Sequence, residues 1–174
     1  MATKSTDERR QRIQAAVESN PRKMTLQLAS DLGVPEVEVI RAFPPDRVAE
    51  LEAARWEDLI RSFEDLGTVR VIVSNASVTA ELEGRFGGFS KTGSFFNVQT
   101  PTLDIHIRWK ELGAAFAVQK PGHLDGINTM SFQFYDLNGA AALKVFLNFG
   151  EAVAVDRVKQ FDNVRERFSI GRQP

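Results

Sequence analysis

Hydrophobic positions recur along the chain at two periods, and the change between them marks the architecture. From Asp46 to Leu66 the period is near 3.6. Trp56, Leu59, Ile60, Phe63 and Leu66 fall on one stripe that Gly67 ends, which predicts a helix covering a sheet. After Gly67 the period becomes 2. Val69, Val71 and Val73 alternate with Arg70, Ile72 and Ser74. A turn at Asn75-Ala76-Ser77 then leads to Val78, Ala80 and Leu82, alternating with Thr79, Glu81 and Glu83, so a hairpin with one wet face is expected. In Ser94–Trp109 (SFFNVQTPTLDIHIRW) the chain turns at Thr100-Pro101. Beyond the turn, Leu103, Ile105, Ile107 and Trp109 point one way and Asp104, His106 and Arg108 the other. Further strands are expected at Ala114–Gln119, Thr129–Tyr135 and Leu143–Phe149. The last two expose apolar faces of Met130, Phe132 and Phe134, and of Leu143, Val145, Leu147 and Phe149, joined by a turn at Asp136-Leu137-Asn138-Gly139.

The ends of the chain read as helices. Ser5-Thr6-Asp7-Glu8 has the spacing of a capping box, opening a charged helix to about Glu18 that Asn20-Pro21 stops. Thr25 caps a short helix with Leu28, Ala29 and Leu32 on one face and Gly33 as its left-handed stop. Val34-Pro35 starts another, with Val37, Ile40 and Phe43 inward, closed by Pro44-Pro45. A last helix runs from Asp156, as N-cap, to about Phe168 on an edge of Val158, Phe161, Val164 and Phe168. Strands in the middle and helices at the ends predict an α+β fold: a large antiparallel sheet with an N-terminal helical lobe, a covering helix and a C-terminal helix. The division expected is a helical segment over 1–45 and an α+β domain over 46–174, with 22–170 as one compact unit.

Composition narrows the function classes. The 174 residues carry 22 basic and 23 acidic side chains, so a whole-protein field that gathers nucleic acid or anionic membrane is not expected. There is no cysteine, which excludes disulfides, thiolate metal sites and thiol nucleophiles. No apolar run reaches the roughly 20 residues that span a bilayer, and MATKSTDERRQR lacks the apolar core of a signal peptide, so a cytoplasmic protein is expected. The helix pair Thr25–Phe43 has the outline of a helix-turn-helix, and a regulator or interaction module is one reading. Against it, Glu36 and Glu38 at the start of the second helix would face phosphates.

The candidate chemistry lies on the polar face of Asp104, His106 and Arg108. No nucleophile elbow, phosphate loop or dinucleotide fingerprint is present. The stretch Gly84–Gly93 (GRFGGFSKTG) reads either as a long hairpin connection or as a lid carrying Arg85, Phe86, Phe89 and Lys91. One imidazole among aromatic side chains and cations suits a flat apolar ligand with anionic ends. Haem needs an axial donor, an apolar slot and cations for its propionates. His106 would be the donor, Phe96 would line the slot, and Arg108, Arg85, Lys91 and Lys120 would stand near the propionates. The bland alternative is a half-exposed polar histidine.

From about Met24 to Phe168 the chain resembles the HutX/ChuX-like haem-utilisation carrier family, which is also similar to each half of the larger HemS-type haem proteins. The likeness lies in LASDLGVPEVEVIRAFP, RWEDLIRSFEDLGTV, SFFNV (like the family's G-Y-F-N-L), DIHIR (like G-H-I-K/R) and SFQFYDLNGAAALKVFL. It implies an α+β domain with a broad antiparallel sheet, a homodimer, and cytosolic haem b binding with transfer to a storage or haem-degrading partner protein. It also implies that His106 is the iron ligand, in a carrier rather than a catalyst, with a haem-degrading enzyme as a further alternative. Three departures stand out. Ser74 falls where the family often has a second histidine. Lys120–Gly126 replaces the family's R-P-F-M-G with a longer loop bringing in His123, a turn residue or an alternative ligand. Phe149-Gly150-Glu151 replaces its G-R-D.

Overall fold

In the computed structural model, which describes residues 2–75, 77–123, 127–148 and 151–171 and side chains from Thr6 onward, the alternating segments become strands. In chain order the strands among these residues are β1 (Val48–Leu51), β2 (Thr68–Ser74), β3 (Thr79–Arg85), β4 (Ser90–Thr92), β5 (Phe95–Gln99), β6 (Asp104–Ile107), β7 (Leu112–Pro121), β8 (Asn128–Asp136) and β9 (Ala141–Phe146). The α-helices are α1 (Ala2–Ser19), α2 (Thr25–Leu32), α3 (Glu36–Arg41), α4 (Trp56–Arg61) and α5 (Val155–Phe168). Six strands form an antiparallel sheet in the order β1-β7-β8-β9-β2-β3, and β4-β5-β6 form a smaller one.

Strict alternation gives the large sheet two different faces. Ala115, Ala117, Phe132, Phe134, Leu143 and Val145 enter a core with Leu59, Ile60 and Phe63 from the covering segment, Phe161 and Phe168 from α5, and Phe96 and Val98 from the small sheet. Phe63 is the hub, stacked on Phe132 at 5.0 Å and edge-on to Phe86 at 5.4 Å. Burial of each such ring stabilises the fold by roughly 1.5–3 kcal/mol. On the reverse face Phe116, Val118 and Tyr135 meet Ile13, Leu28, Val37 and Ile40, so the helical lobe shares a core with the sheet. That lobe covers the β1-β7-β8 half. By register Arg70, Ile72 and Ser74 of β2 and Lys144 and Phe146 of β9 share this face beyond it.

Several expectations change. The segment from Asp46 is not one helix: Val48–Leu51 pairs with Ala115–Val118 of β7, and the helical stripe begins only after Ala53–Arg55, ending in 3₁₀ turns over Ser62–Leu66. A long-range pairing that local periodicity cannot register decides those residues. The first helix starts at Ala2, so Ser5 lies inside it rather than capping it. Met24, not Thr25, is the cap position of α2, while Gly33 closes that helix at φ +64° as expected. Asp156 sits in the first turn of α5 after a cap at Ala154, where its charge still suits the helix dipole. The glycine-rich stretch is a fastened strap, not a lid: Phe86 is buried, Phe89 stacks on Phe96 at 5.7 Å, and β4 pairs with β5. Gly88 holds φ +56°, and a Cβ there would lie 1.9 Å from the Gln99 carbonyl oxygen. Ala76, Leu124, Asp125, Gly126, Phe149 and Gly150, which the sequence placed in turns and at a strand end, lie outside the described residues.

Candidate functional site

Two places gather the residues that the sequence singled out, and they lie on opposite sides of the large sheet. The first is the outer face of the small sheet. Residues one apart on a strand leave opposite faces, so Asp104 and His106 point away from the core that takes Phe96, Val98 and Ile107. Asn97 stands opposite His106 in register, and its Oδ1 lies 2.8 Å from His106 Nδ1. The Asn97 amide donates to Ser90 Oγ (3.0 Å) and Thr92 Oγ1 (3.3 Å), which turns its carbonyl oxygen toward the imidazole. Nδ1–H is then the donor, and Nε2 keeps its lone pair for a metal or a proton. Asp104 Oδ1 lies 3.4 Å from Nε2, Phe95 meets the ring edge-on at 6.2 Å, and the Arg108 guanidinium lies over Phe95 at 5.2 Å. The imidazole side chain is 51% exposed and lines neither the groove under the helical lobe nor the cavity between β1 and α5.

Lys91 and Phe96 do not join it. They pair with each other across β4 and β5 and leave the small sheet on its other face. Phe96 is buried in the core. The Lys91 ammonium lies 5.6 Å from the ring centroids of Trp56 and Trp109, which stack on each other at 5.7 Å, and it bonds Glu57. Lys91, then Arg61, hold the Glu57 carboxyl below the usual carboxylate range. Arg85 ends β3 opposite Thr68, at the far end of the strand from Thr79 and Glu81.

The second place is a groove of about 560 Å³ between the helical lobe and the uncovered part of the large sheet, a size typical of small-molecule sites. Met24, Leu26 and Val34 form its apolar helical side and Ile72 and Phe146 its sheet side. Ser74, Lys120, His123, Gln133 and Lys144 supply polar groups. Arg22 Nε donates to the Gly122 carbonyl (3.4 Å), tying the approach to α2 to the loop that carries His123. Burial, and after it the charge of Lys144, lowers the Lys120 ammonium to about 8. Lys144 is 2.5 Å from Glu36 Oε1, which also accepts from Thr25 Oγ1 at 2.5 Å. Glu36 is only 3% exposed.

The structure thus brings Lys120 and His123 together on the groove lining, sets His106 and, just past the end of β6, Arg108 against the same Phe95 ring, and leaves Lys91, Phe96 and Arg85 apart from both. Sequence reasoning missed Lys144, Phe146 and Glu36. The first two were within reach: if Leu143, Val145 and Leu147 face the core, Lys144 and Phe146 face the other way. The helix pair is used for packing, since Val37, Val39 and Ile40 of α3 are buried in the core shared with the sheet.

Comparisons with known proteins agree with this architecture. The family model of the haemin-degrading HemS.ChuX domain matches residues 33–168. The intracellular heme transport protein HutX of Vibrio cholerae serotype O1 is 22% identical over 150 residues, covering 85% of this chain and 77% of that protein. Among solved structures, the heme binding protein ChuX superposes with a TM-score of 0.79 at 19% identity, over 89% of this chain and 97% of that one. The heme degrading enzyme ChuS of Escherichia coli O157:H7 superposes at 0.75 with 22% identity, over 91% of this chain but 46% of that one, so this chain corresponds to about half of it. These structural likenesses show the shared α+β fold with its large antiparallel sheet.

Proposed function

The chain belongs to the haemin-degrading HemS.ChuX domain family, and from that membership we propose that it binds haem and carries it in the cytosol, passing it on intact. The observation that supports this reading best is the groove under the helical lobe. Its two apolar sides, Met24 and Leu26 against Ile72 and Phe146, suit the faces of a flat ring system. Lys120 offers the groove a cation that suits a propionate, and His123 offers an imidazole on its lining. Haem would contribute an iron with axial positions to fill; this chain contributes the apolar slot, the cation and the nitrogen donor. Release to a storage or haem-degrading partner protein, and assembly as a homodimer, complete the carrier reading.

His106 supports a second reading, with haem on the outer face of the small sheet. Its Asn97 partner leaves Nε2 free to donate to iron, with Arg108 close by for a propionate. The large sheet and its core stand between His106 and the groove, so a haem held within one chain meets only one of the two imidazoles.

Haemin titration of the wild type, His123→Ala and His106→Ala, followed by the Soret band, tests both readings. The groove reading expects the band to shift and affinity to fall in His123→Ala alone. The reverse pattern moves the haem to the small sheet. Bands unchanged in both variants would remove histidine ligation. Release of iron or bilin from bound haem under reductant would replace carrier by enzyme.

A further inference from the structure

Glu36 raises a question that the carrier reading does not answer. A carboxylate buried beside an apolar groove is bonded through one oxygen only among the described residues: Oε1 takes Lys144 and the Thr25 hydroxyl, while Oε2 is sealed from solvent and has no partner there. Lys144 reaches from β9 to this carboxylate with its side chain 16% exposed, and both residues line the groove. Next to them on β8, the Tyr135 hydroxyl donates to Gln133 Oε1 at 2.8 Å, and the Gln133 amide donates to Ser131 Oγ at 2.9 Å. Burial, and after it the negative charge of Glu36, raises Tyr135 well above the usual tyrosine range, so the phenol keeps its proton and lies within the field of that carboxylate.

We propose that Glu36 holds the place of a ligand carboxylate on Lys144, and that an anionic apolar ligand entering the groove exchanges with it. The inference rests on the reading of the groove as the ligand site. In the arrangement seen, Lys144 is neutralised from within, and its charge does not attract anions into an empty groove. When a ligand carboxylate takes Lys144, Glu36 keeps the Thr25 hydroxyl and gains the Tyr135 hydroxyl on Oε2, the oxygen now without a donor. Gln133 Oε1, released by Tyr135, is left on the groove lining. Counted with Lys120, two ammonium groups on the groove share one carboxylate before the ligand arrives and two carboxylates after it, so the exchanged state is the charge-balanced one and Glu36 keeps its charge under two hydroxyl donors. Lys120 favours the second state, because in the empty groove its ammonium is the positive charge left without a carboxylate partner among the described residues, and the arriving anion offsets it. Glu36 is therefore a specificity-determining residue. It admits apolar anions strong enough to displace it and gives neutral ligands of the same shape no advantage.

Titrations of the whole chain with iron-free protoporphyrin IX and with its neutral dimethyl ester, read by porphyrin fluorescence, test the exchange. Glu36→Gln should bind the diacid about tenfold more tightly than wild type, and Lys144→Met about tenfold more weakly. The double variant, which removes both charges and so keeps no unpaired ion in the core, should behave as Lys144→Met. The ester should bind all four proteins alike. A structural brace predicts instead that Glu36→Gln and Lys144→Met weaken binding together, and that outcome overturns the proposal, as does an ester that follows the diacid. Circular dichroism confirms that each variant is folded. If wild type binds no porphyrin, the haem reading falls by itself. Anilinonaphthalene sulfonate, which needs only an apolar groove and a cation, then decides the exchange: the expected affinity order is Glu36→Gln, wild type, Lys144→Met. Any other order, or no binding of either probe, overturns it.

Discussion

Asn97 and His106 face each other across β5 and β6 with Oδ1 2.8 Å from Nδ1, and the asparagine is itself held by Ser90 and Thr92 of β4. Three strands of the small sheet thus converge on one imidazole and select which of its nitrogens bears the proton. Nitrogen NMR of the histidine ring is expected to show the Nδ1–H tautomer in the wild type and a mixture in Asn97→Ala. Because Asn97 is buried, the same substitution should cost roughly 1–3 kcal/mol in urea unfolding. A ring that keeps a single tautomer without Asn97 would refute the assignment.

Lys120 gives the stability a pH dependence with a defined sign. Its ammonium titrates near 8 in the fold against an ordinary value of 10.5. Between those values the unfolded chain binds more protons than the folded one, so stability rises with pH from about 8 to about 10.5, and below 8 the burial penalty is fully present. Allowing for partial exposure, the rise is on the order of 1–2 kcal/mol. Denaturation midpoints measured across this range should climb in the wild type, and Lys120→Met should remove that part of the climb.

The same titration bears on the ligand. An anion held by Lys120 loses its partner as the ammonium deprotonates, so haemin affinity should fall as pH rises through about 8. In Lys120→Met the affinity should already be low at neutral pH and show no such step. A step of equal size in the variant would assign it to another group.

Gly88 separates a strap from a lid. Alanine there meets both a left-handed backbone and the Gln99 carbonyl oxygen, and should destabilise the protein by about 1–3 kcal/mol. Because the strap lies away from the groove, haemin affinity under folding conditions should be unchanged. A large loss of affinity with little change in unfolding midpoint would restore the lid.

Ser74 lies on the groove lining with its hydroxyl 2.9 Å from that of Thr79, at the position where the family resemblance places a histidine. Ser74→His should add an imidazole to the groove and raise haemin affinity by about tenfold, with a spectrum of higher coordination. An unchanged spectrum would put the iron elsewhere.

The sequence by itself determined the faces. Alternation at Val69–Val73, Leu103–Trp109 and Met130–Phe134, and the stripe from Trp56 to Leu66, were legible because the side-chain period is a local property of the backbone, and they yielded the fold class. The polar row of Asp104, His106 and Arg108 was legible for the same reason. Tertiary structure alone decided what each face meets. Val48–Leu51 became a strand because β7 offered it an open edge, and Lys91 was turned from His106 because β4 pairs with β5 in a register that sends it to the tryptophans. Lys120 and His123 came to share a groove with Glu36 and Lys144 because a helical lobe some hundred residues earlier folds over only half of the sheet. Such pairings depend on which distant segments bury each other, and a pattern read along the chain carries no measure of that.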